Sequence, residues 1–330
     1  MFSITSSVDE LPAETEIVVV GSGYGGAVAA SRMARAGREV CLLERGEEWL
    51  PGEFPDTEEE AAGEIQLDLP EEHEGPATGL YDFHVNPEIS VLVGCGLGGT
   101  SLINANVVIE PTDEIFANDE WPTALQNPQT GEFPLRRGFD RTRQMLEPRP
   151  YPDDPDQPDL PKLEALRESA EHLDVPLERP DIAVTFDDRV NAAGVEQQAC
   201  TLCGDCVSGC NYGSKNTLLM NYLPDAWNHG AEIFTGTEVR YLEREGDQWR
   251  AYYRTHGDGR AAFDAPPSAV AADAVFLAAG SLGSTEILKR SERRGGLDVS
   301  DRLGEGFSGN GDALGFAYNT DREVRSIGHG

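Results

Sequence analysis

Apolar residues in this chain come in short runs bounded by glycine and acid. Residues 16–20 (EIVVV) form a β-branched run that predicts a strand buried on both faces. The run enters the turn Gly21-Ser22-Gly23-Tyr24-Gly25-Gly26, and the Ala-rich stretch 27–37 that follows predicts a helix closed by Gly37. Residues 40–43 predict a second strand, ending at Glu44. Residues 51–79 turn acidic and read as a solvated, irregular excursion. A second glycine-rich segment occupies 91–108 (VLVGCGLGGTSLINANVV), and a proline-dense passage from Pro148 to Pro161 reads as a linker or long surface crossing. Helices are predicted over 162–174 and 217–227, a hairpin over 238–254 turning at Gly246-Asp247, and a buried strand over 274–278 running into Gly280. Strand, helix and parallel strand in succession predict an α/β, doubly wound, Rossmann-like fold.

The 330 residues suffice for about two domains with a sizeable core. Asp and Glu number 59 against 26 Lys and Arg, a net charge of −33 that repels nucleic acid and anionic lipid. A 39% hydrophobic content argues for a folded core beneath that charge. The only lysines are Lys162, Lys215 and Lys289. Few lysines and many carboxylates match the composition of salt-loving archaea, where molar salt screens the self-repulsion. No apolar run approaches a membrane span and the N-terminal stretch is acidic, so a soluble cytoplasmic protein is expected.

The turn after the first strand has the pattern Gly21-x-Gly23-x-x-Gly26, and Glu44 stands 21 positions beyond Gly23. This is the arrangement a dinucleotide requires. The first glycine makes the tight turn, the second admits the pyrophosphate to the backbone, and the third lets helix and strand pack closely, while an acid at the end of the second strand takes ribose hydroxyls.

The segment from Gly94 to Asn104 (GCGLGGTSLIN) resembles the glycine-rich signature of the glucose-methanol-choline (GMC) oxidoreductases, most closely their cholesterol-oxidase-like branch. Residues 49–55 (WLPGEFP), Glu238-Val239 and 280–288 (GSLGSTEIL) agree with it. The resemblance implies FAD held by Gly21, Gly23, Gly26, Glu44, Gly94, Gly98, Asn104, Val239 and Gly280, with Asn310 near the flavin. It implies a small-molecule alcohol as substrate, an FAD domain built from 1–110 and 231–330, and an inserted, incomplete substrate-binding domain over 111–230. Family chains continue past the equivalent of Gly330 into a segment with the catalytic His. None of the six histidines lies in that motif, so no catalytic residue is assigned, and a fragment or one half of a divided enzyme completed by a partner chain is expected.

Cys200-x2-Cys203-x2-Cys206-x3-Cys210 has the spacing of a bacterial ferredoxin run, with Asn211 where proline is usual. The expected occupant is an iron–sulfur cluster, 4Fe–4S or 3Fe–4S, with structural zinc or free thiols as alternatives. A cluster beside a flavin favours a dehydrogenase that hands electrons to a carrier. Zinc would leave an ordinary oxidase.

The charge yields the first prediction. Raising KCl from about 0.1 M to about 3 M is expected to raise the melting temperature by about 10 °C or more, because the Debye length falls from about 10 Å to below 3 Å. A melting temperature independent of salt by circular dichroism would refute it.

Overall fold

The structure is a computed structural model describing residues 2–126, 133–152, 158, 160–257, 265–309, 311, 321 and 324. Its strands are β1 (Glu14–Val20), β2 (Val40–Leu43), β3 (Ile65–Asp68), β4 (His73–Glu74), β5 (Tyr81–His84), β6 (Val91–Gly94), β7 (Val107–Val108), β8 (Asp181–Ile182), β9 (Arg189–Val190), β10 (Glu196–Gln197), β11 (Glu232–Phe234), β12 (Thr237–Glu245), β13 (Gln248–Thr255) and β14 (Ser268–Leu277). Its α-helices are α1 (Tyr24–Arg35), α2 (Glu58–Gly63), α3 (Asp113–Phe116), α4 (Arg136–Leu146), α5 (Pro161–Leu173), α6 (Tyr222–Asn228) and α7 (Gly280–Gly295).

The main sheet runs β11-β2-β1-β14-β13-β12. The first four strands are parallel, and β13 and β12 complete it antiparallel. The even spread of apolar residues along β1 follows from its central place. Ile17 and Val19 face one layer with Ala27, Ala30 and Ala34 of α1 and Leu223 of α6, whereas Val18 and Val20 face the other with Val239, Leu242 and Ile287. Each fully buried valine or leucine here contributes about 1.5–3 kcal/mol. Small residues on α1 let it lie close to the sheet, and Asp225 of α6 staples the two helices by accepting from Ser31 Oγ at 2.6 Å and Arg35 Nε at 2.9 Å.

The hairpin turns at Gly246-Asp247 as its alternation predicts, between β12 and β13. Three expectations are corrected. The strand expected to be buried over 274–278 is longer, Ser268–Leu277, and its last residues are not buried, Ala274 and Phe276 being exposed. Residues 51–79 are not irregular throughout. Thr57 and Glu60 form a capping box that starts α2, and Ile65–Asp68 pairs with both β4 and β5 in a four-stranded sheet ordered β4-β3-β5-β6. The acidic count masked a helix start and an alternating strand, whose Gln66 is fully buried and donates to Gly79 O at 2.6 Å. Nor is 217–227 one helix. Leu218–Met220 is a 3₁₀ turn and α6 begins afresh after Asn221, whose backbone (φ −143°, ψ −84°) leaves the helical region while its side chain accepts from Tyr222 N. Among the described residues, no helix is long and apolar enough to cross a membrane.

Candidate cofactor site

Where β1 ends, Gly21 takes φ +90° and its N–H donates to Leu43 O at 2.8 Å, turning the chain beneath the sheet edge. A Cβ on Gly21 would stand 2.6 Å from Ala278 O, and one on Gly26 would stand 1.9 Å from Gly21 O. These glycines permit backbone to touch backbone. Gly23 differs: nothing lies within 4 Å of where its Cβ would be, and it caps α1 at the mouth of a cavity. The cavity holds about 700 Å³ and is walled by Gly21–Gly23, Glu44–Arg45, β6, Thr237–Val239 and the start of α7.

Glu44 is buried, and its carboxylate ties three strands of chain together. Oε2 accepts from Ser22 N at 2.9 Å and Ser22 Oγ at 2.6 Å, and Oε1 accepts from Gly46 N at 2.9 Å. Ser22 Oγ also accepts from Gly98 N at 2.9 Å, which brings the second glycine loop onto the first. In that loop Gly98 (φ +117°) and Gly99 (φ +55°) sit in the left-handed region, and a Cβ on Gly99 would come within 3.0 Å of Gly23 Cα. Gly94 N donates to Thr100 Oγ1 at 3.1 Å. Opposite, Gly280 (φ +71°) opens α7 with nothing within 4 Å of its Cβ position. The N-termini of α1 and α7 thus open on one cavity, each favouring an anion.

Charged groups on the wall are paired. Arg45 contacts Asp82, and His84 lies between Asp82 Oδ1 and Asp68 Oδ2, 3.3 Å from each. Burial pushes the Asp82 carboxyl up, but His84 and the Arg45 guanidinium outweigh it and hold it below the usual range. The Asp82 carboxylate in turn raises His84. Burial likewise pushes Glu238 up, yet His256 and Arg240 bring it down to about 2.

Of the residues singled out from the sequence, Gly21, Gly23, Glu44, Gly94, Val239 and Gly280 line this cavity. Gly26 and Gly98 lie behind its wall, where they set loop geometry. Asn104 stands apart, its Nδ2 donating to Tyr24 Oη at 2.9 Å. Asn310 lies outside the described residues. Ser22, Asp82, His84 and Thr100 were not singled out. Ser22 carried a signal in the fingerprint, as a hydroxyl between two glycines opposite an acid.

The four cysteines, all half-buried and none in a disulfide, line a second cavity of about 20 Å³ together with Lys215. Leu202 (φ +61°), Gly204 (φ +88°) and Gly209 (φ +127°) wind the backbone around it. Burial pushes the Cys200 thiol up to about 11. Among the described residues, the one group with three or more potential metal-ligand atoms within 4.8 Å of one another is Asp68, Asp82 and His84, so no three of the sulfurs come that close. Asn211 anchors the loop, accepting from Gly52 N at 3.0 Å and Phe54 N at 2.9 Å and donating to Phe54 O at 3.0 Å. Lys215 is buried, and Nζ donates to Leu102 O at 2.9 Å, Asn104 O at 2.8 Å and Cys206 O at 2.8 Å. Burial brings its ammonium down to about 8 against the opposing influence of Cys206 and Cys210.

The fold and the glycine-walled cavity define a Rossmann-like dinucleotide-binding protein. The chain belongs to the GMC oxidoreductase family, which it matches over residues 15–305. It is 30% identical over 316 residues to a cholesterol oxidase of Mycobacterium tuberculosis, covering 88% of this chain and 50% of that one. A cholesterol oxidase of Acinetobacter baumannii is 25% identical, with 91% and 54% covered, and a long-chain-alcohol oxidase of Arabidopsis thaliana is 28% identical, with 72% and 28% covered. The chain therefore spans about half the length of the two cholesterol oxidases. A fungal aryl-alcohol oxidase shares the fold at a TM-score of 0.51 and 16% identity, with 85% of this chain and 48% of that one covered.

Two predictions follow from the geometry. Gly26→Ala is expected to lose about 2–4 kcal/mol of stability in urea unfolding, whereas Gly23→Ala keeps stability within about 1 kcal/mol and weakens FAD binding by about tenfold or more. A Gly23→Ala protein that titrates with FAD like wild type would put the ligand elsewhere. Because His84 is raised on folding, its ion pairs contribute fully below its free value near 6.5 and are lost as pH climbs through the folded value. Wild type is therefore expected to lose stability above about pH 6.5 along a slope that His84→Gln flattens. Parallel slopes would exclude this role.

Proposed function

We propose that this chain is the FAD-binding part of an oxidoreductase acting on the CH–OH group of an alcohol. The observation that carries the reading is the pair of helix N-termini and the open glycines, Gly23 and Gly280, facing one cavity of about 700 Å³. The residues present fit the cofactor. Bound FAD supplies the hydride acceptor. The first turns of α1 and α7 would hold its pyrophosphate, the 94–100 loop would bring backbone N–H groups to the ring system, and the backbone at Val239 would meet the adenine. Glu44 retains acceptor capacity beyond the three bonds it makes, enough for a ribose hydroxyl.

The relatives' names point to a sterol or long-chain alcohol as the substrate class. We propose residues 1–110 and 231–330 as the FAD domain and 111–230 as the beginning of a substrate domain. No group on the cavity wall is assigned as the base that takes the hydroxyl proton, and a residue outside these 330 is proposed for it, in further sequence or a partner chain.

The four cysteines are proposed to hold an iron–sulfur cluster that carries electrons to an acceptor. Their spacing supports this. Gly204 and Gly209, both in the left-handed region, let the backbone wrap closely around such a group.

The test is the visible spectrum of the chain purified without oxygen in high salt, before and after dithionite, with iron and zinc assayed on the same sample. Flavin bands over a broad absorption, both bleached, are expected, with iron present. Failure to take up FAD would overturn the cofactor reading, and zinc without iron would overturn the cluster.

A further inference from the structure

Lys215 presents an anomaly that the dinucleotide site does not explain. The chain has 59 carboxylates, yet among the described residues this buried ammonium, 2% exposed, forms no ion pair. Its three protons are satisfied by carbonyls of Leu102, Asn104 and Cys206, but its charge is not, and a buried uncompensated charge is costly. Lys215 lines one small cavity together with Cys200, Cys203, Cys206 and Cys210. Four thiolates around zinc or a cuboidal cluster leave the loaded site net negative, because thiolates, not thiols, ligate metal.

We propose that Lys215 is the charge-compensating and positioning residue of the cysteine site: it neutralises the loaded site from within and ties the Cys206 backbone to Leu102 and Asn104 at the end of the flavin-side loop. This rests on the reading that the four cysteines hold a metal group. The group's affinity and reduction potential are then set by a lysine that never ligates it. Removing a positive charge beside a redox group makes electron addition harder, so the midpoint moves negative.

The experiment takes the full chain stripped of metal and reconstituted without oxygen with ferrous iron and sulfide, as wild type, Lys215→Met, Lys215→Gln and Lys215→Arg. Three quantities are read: iron loss to a chelator, the midpoint by reductive titration, and the unfolding of the metal-free protein. Met and Gln are expected to lose iron about tenfold faster or more and to titrate at more negative potential, with metal-free stability changed far less and Arg retaining most of the wild-type behaviour. Gln keeps an N–H donor for the carbonyls, so it serves if Met does not fold. Unaltered iron retention and midpoint in Gln or Met, or equal destabilisation of loaded and metal-free forms, overturns the proposal and leaves Lys215 a packing residue. Wild type that binds zinc alone removes the cluster while the proposal stands or falls on zinc affinity, expected about tenfold weaker in Met and Gln. Wild type that binds neither metal overturns the metal reading and this inference with it.

Discussion

The Ser22 hydroxyl donates to Glu44 at 2.6 Å while accepting from Gly98 N at 2.9 Å, and the Ser22 amide donates to the same carboxylate at 2.9 Å. Through these bonds one buried side chain fixes the ends of β1 and β2 and the second glycine loop relative to one another. The carboxylate can be buried there because Ser22 and Gly46 supply three donors, and a polar group so satisfied costs little. The glycines on either side make the arrangement possible. Gly21 and Gly26 allow the turn to close against Ala278 and itself, and Gly99 lets the second loop lie within contact of Gly23. A cavity wall made of backbone in this way has no side chain to swing aside, which is what a large planar ligand requires of its cradle.

The same loop is held from its other side. Ser101 Oγ donates to Gly98 O at 2.7 Å and accepts from Leu218 N at 3.1 Å, and Lys215 reaches Leu102 and Asn104. The Cys loop is in turn fastened to the 51–54 segment by Asn211 and to β5 by Tyr81, whose hydroxyl donates to Ser208 O at 2.7 Å. A Cβ on Gly209 would stand 2.2 Å from the Phe54 ring, so the cysteine loop fits only by pressing its backbone on that ring. Lys215, on the wall of the cysteine site, thus also holds the end of the 94–104 loop, whose first residues line the larger cavity.

How much of this the sequence disclosed depends on the range of the interaction. The fingerprint, the β1–β2 pair and the hairpin were legible because each is specified within some 30 residues by periodicity and glycine spacing. The capping box at Thr57 was equally local, but acidic composition hid it. What could not be read was whatever joins residues far apart. Asp82 meets Arg45 across 37 positions, and Lys215 meets Leu102 across 113. Asn104 illustrates the converse, since its motif position was plain while its Tyr24 partner turns it from the cavity.

The remaining question is how a chain of net charge −33 receives an anionic dinucleotide at all. It does not do so with free cations on the cavity wall. Arg45 is engaged by Asp82, Arg290 by Glu286 at 3.1 Å, and His84 sits between two carboxylates. What remains unopposed is the dipole of the backbone at the starts of α1 and α7. The two contributions respond differently to salt. Repulsion from exposed carboxylates acts over many ångströms and vanishes when the Debye length shrinks to about 3 Å at molar salt, whereas backbone donors act at contact distance inside the cavity and are screened far less. High salt therefore strips away the long-range barrier to the ligand and leaves the short-range attraction, so an acidic surface and an anion site coexist in one small fold without a compensating basic patch.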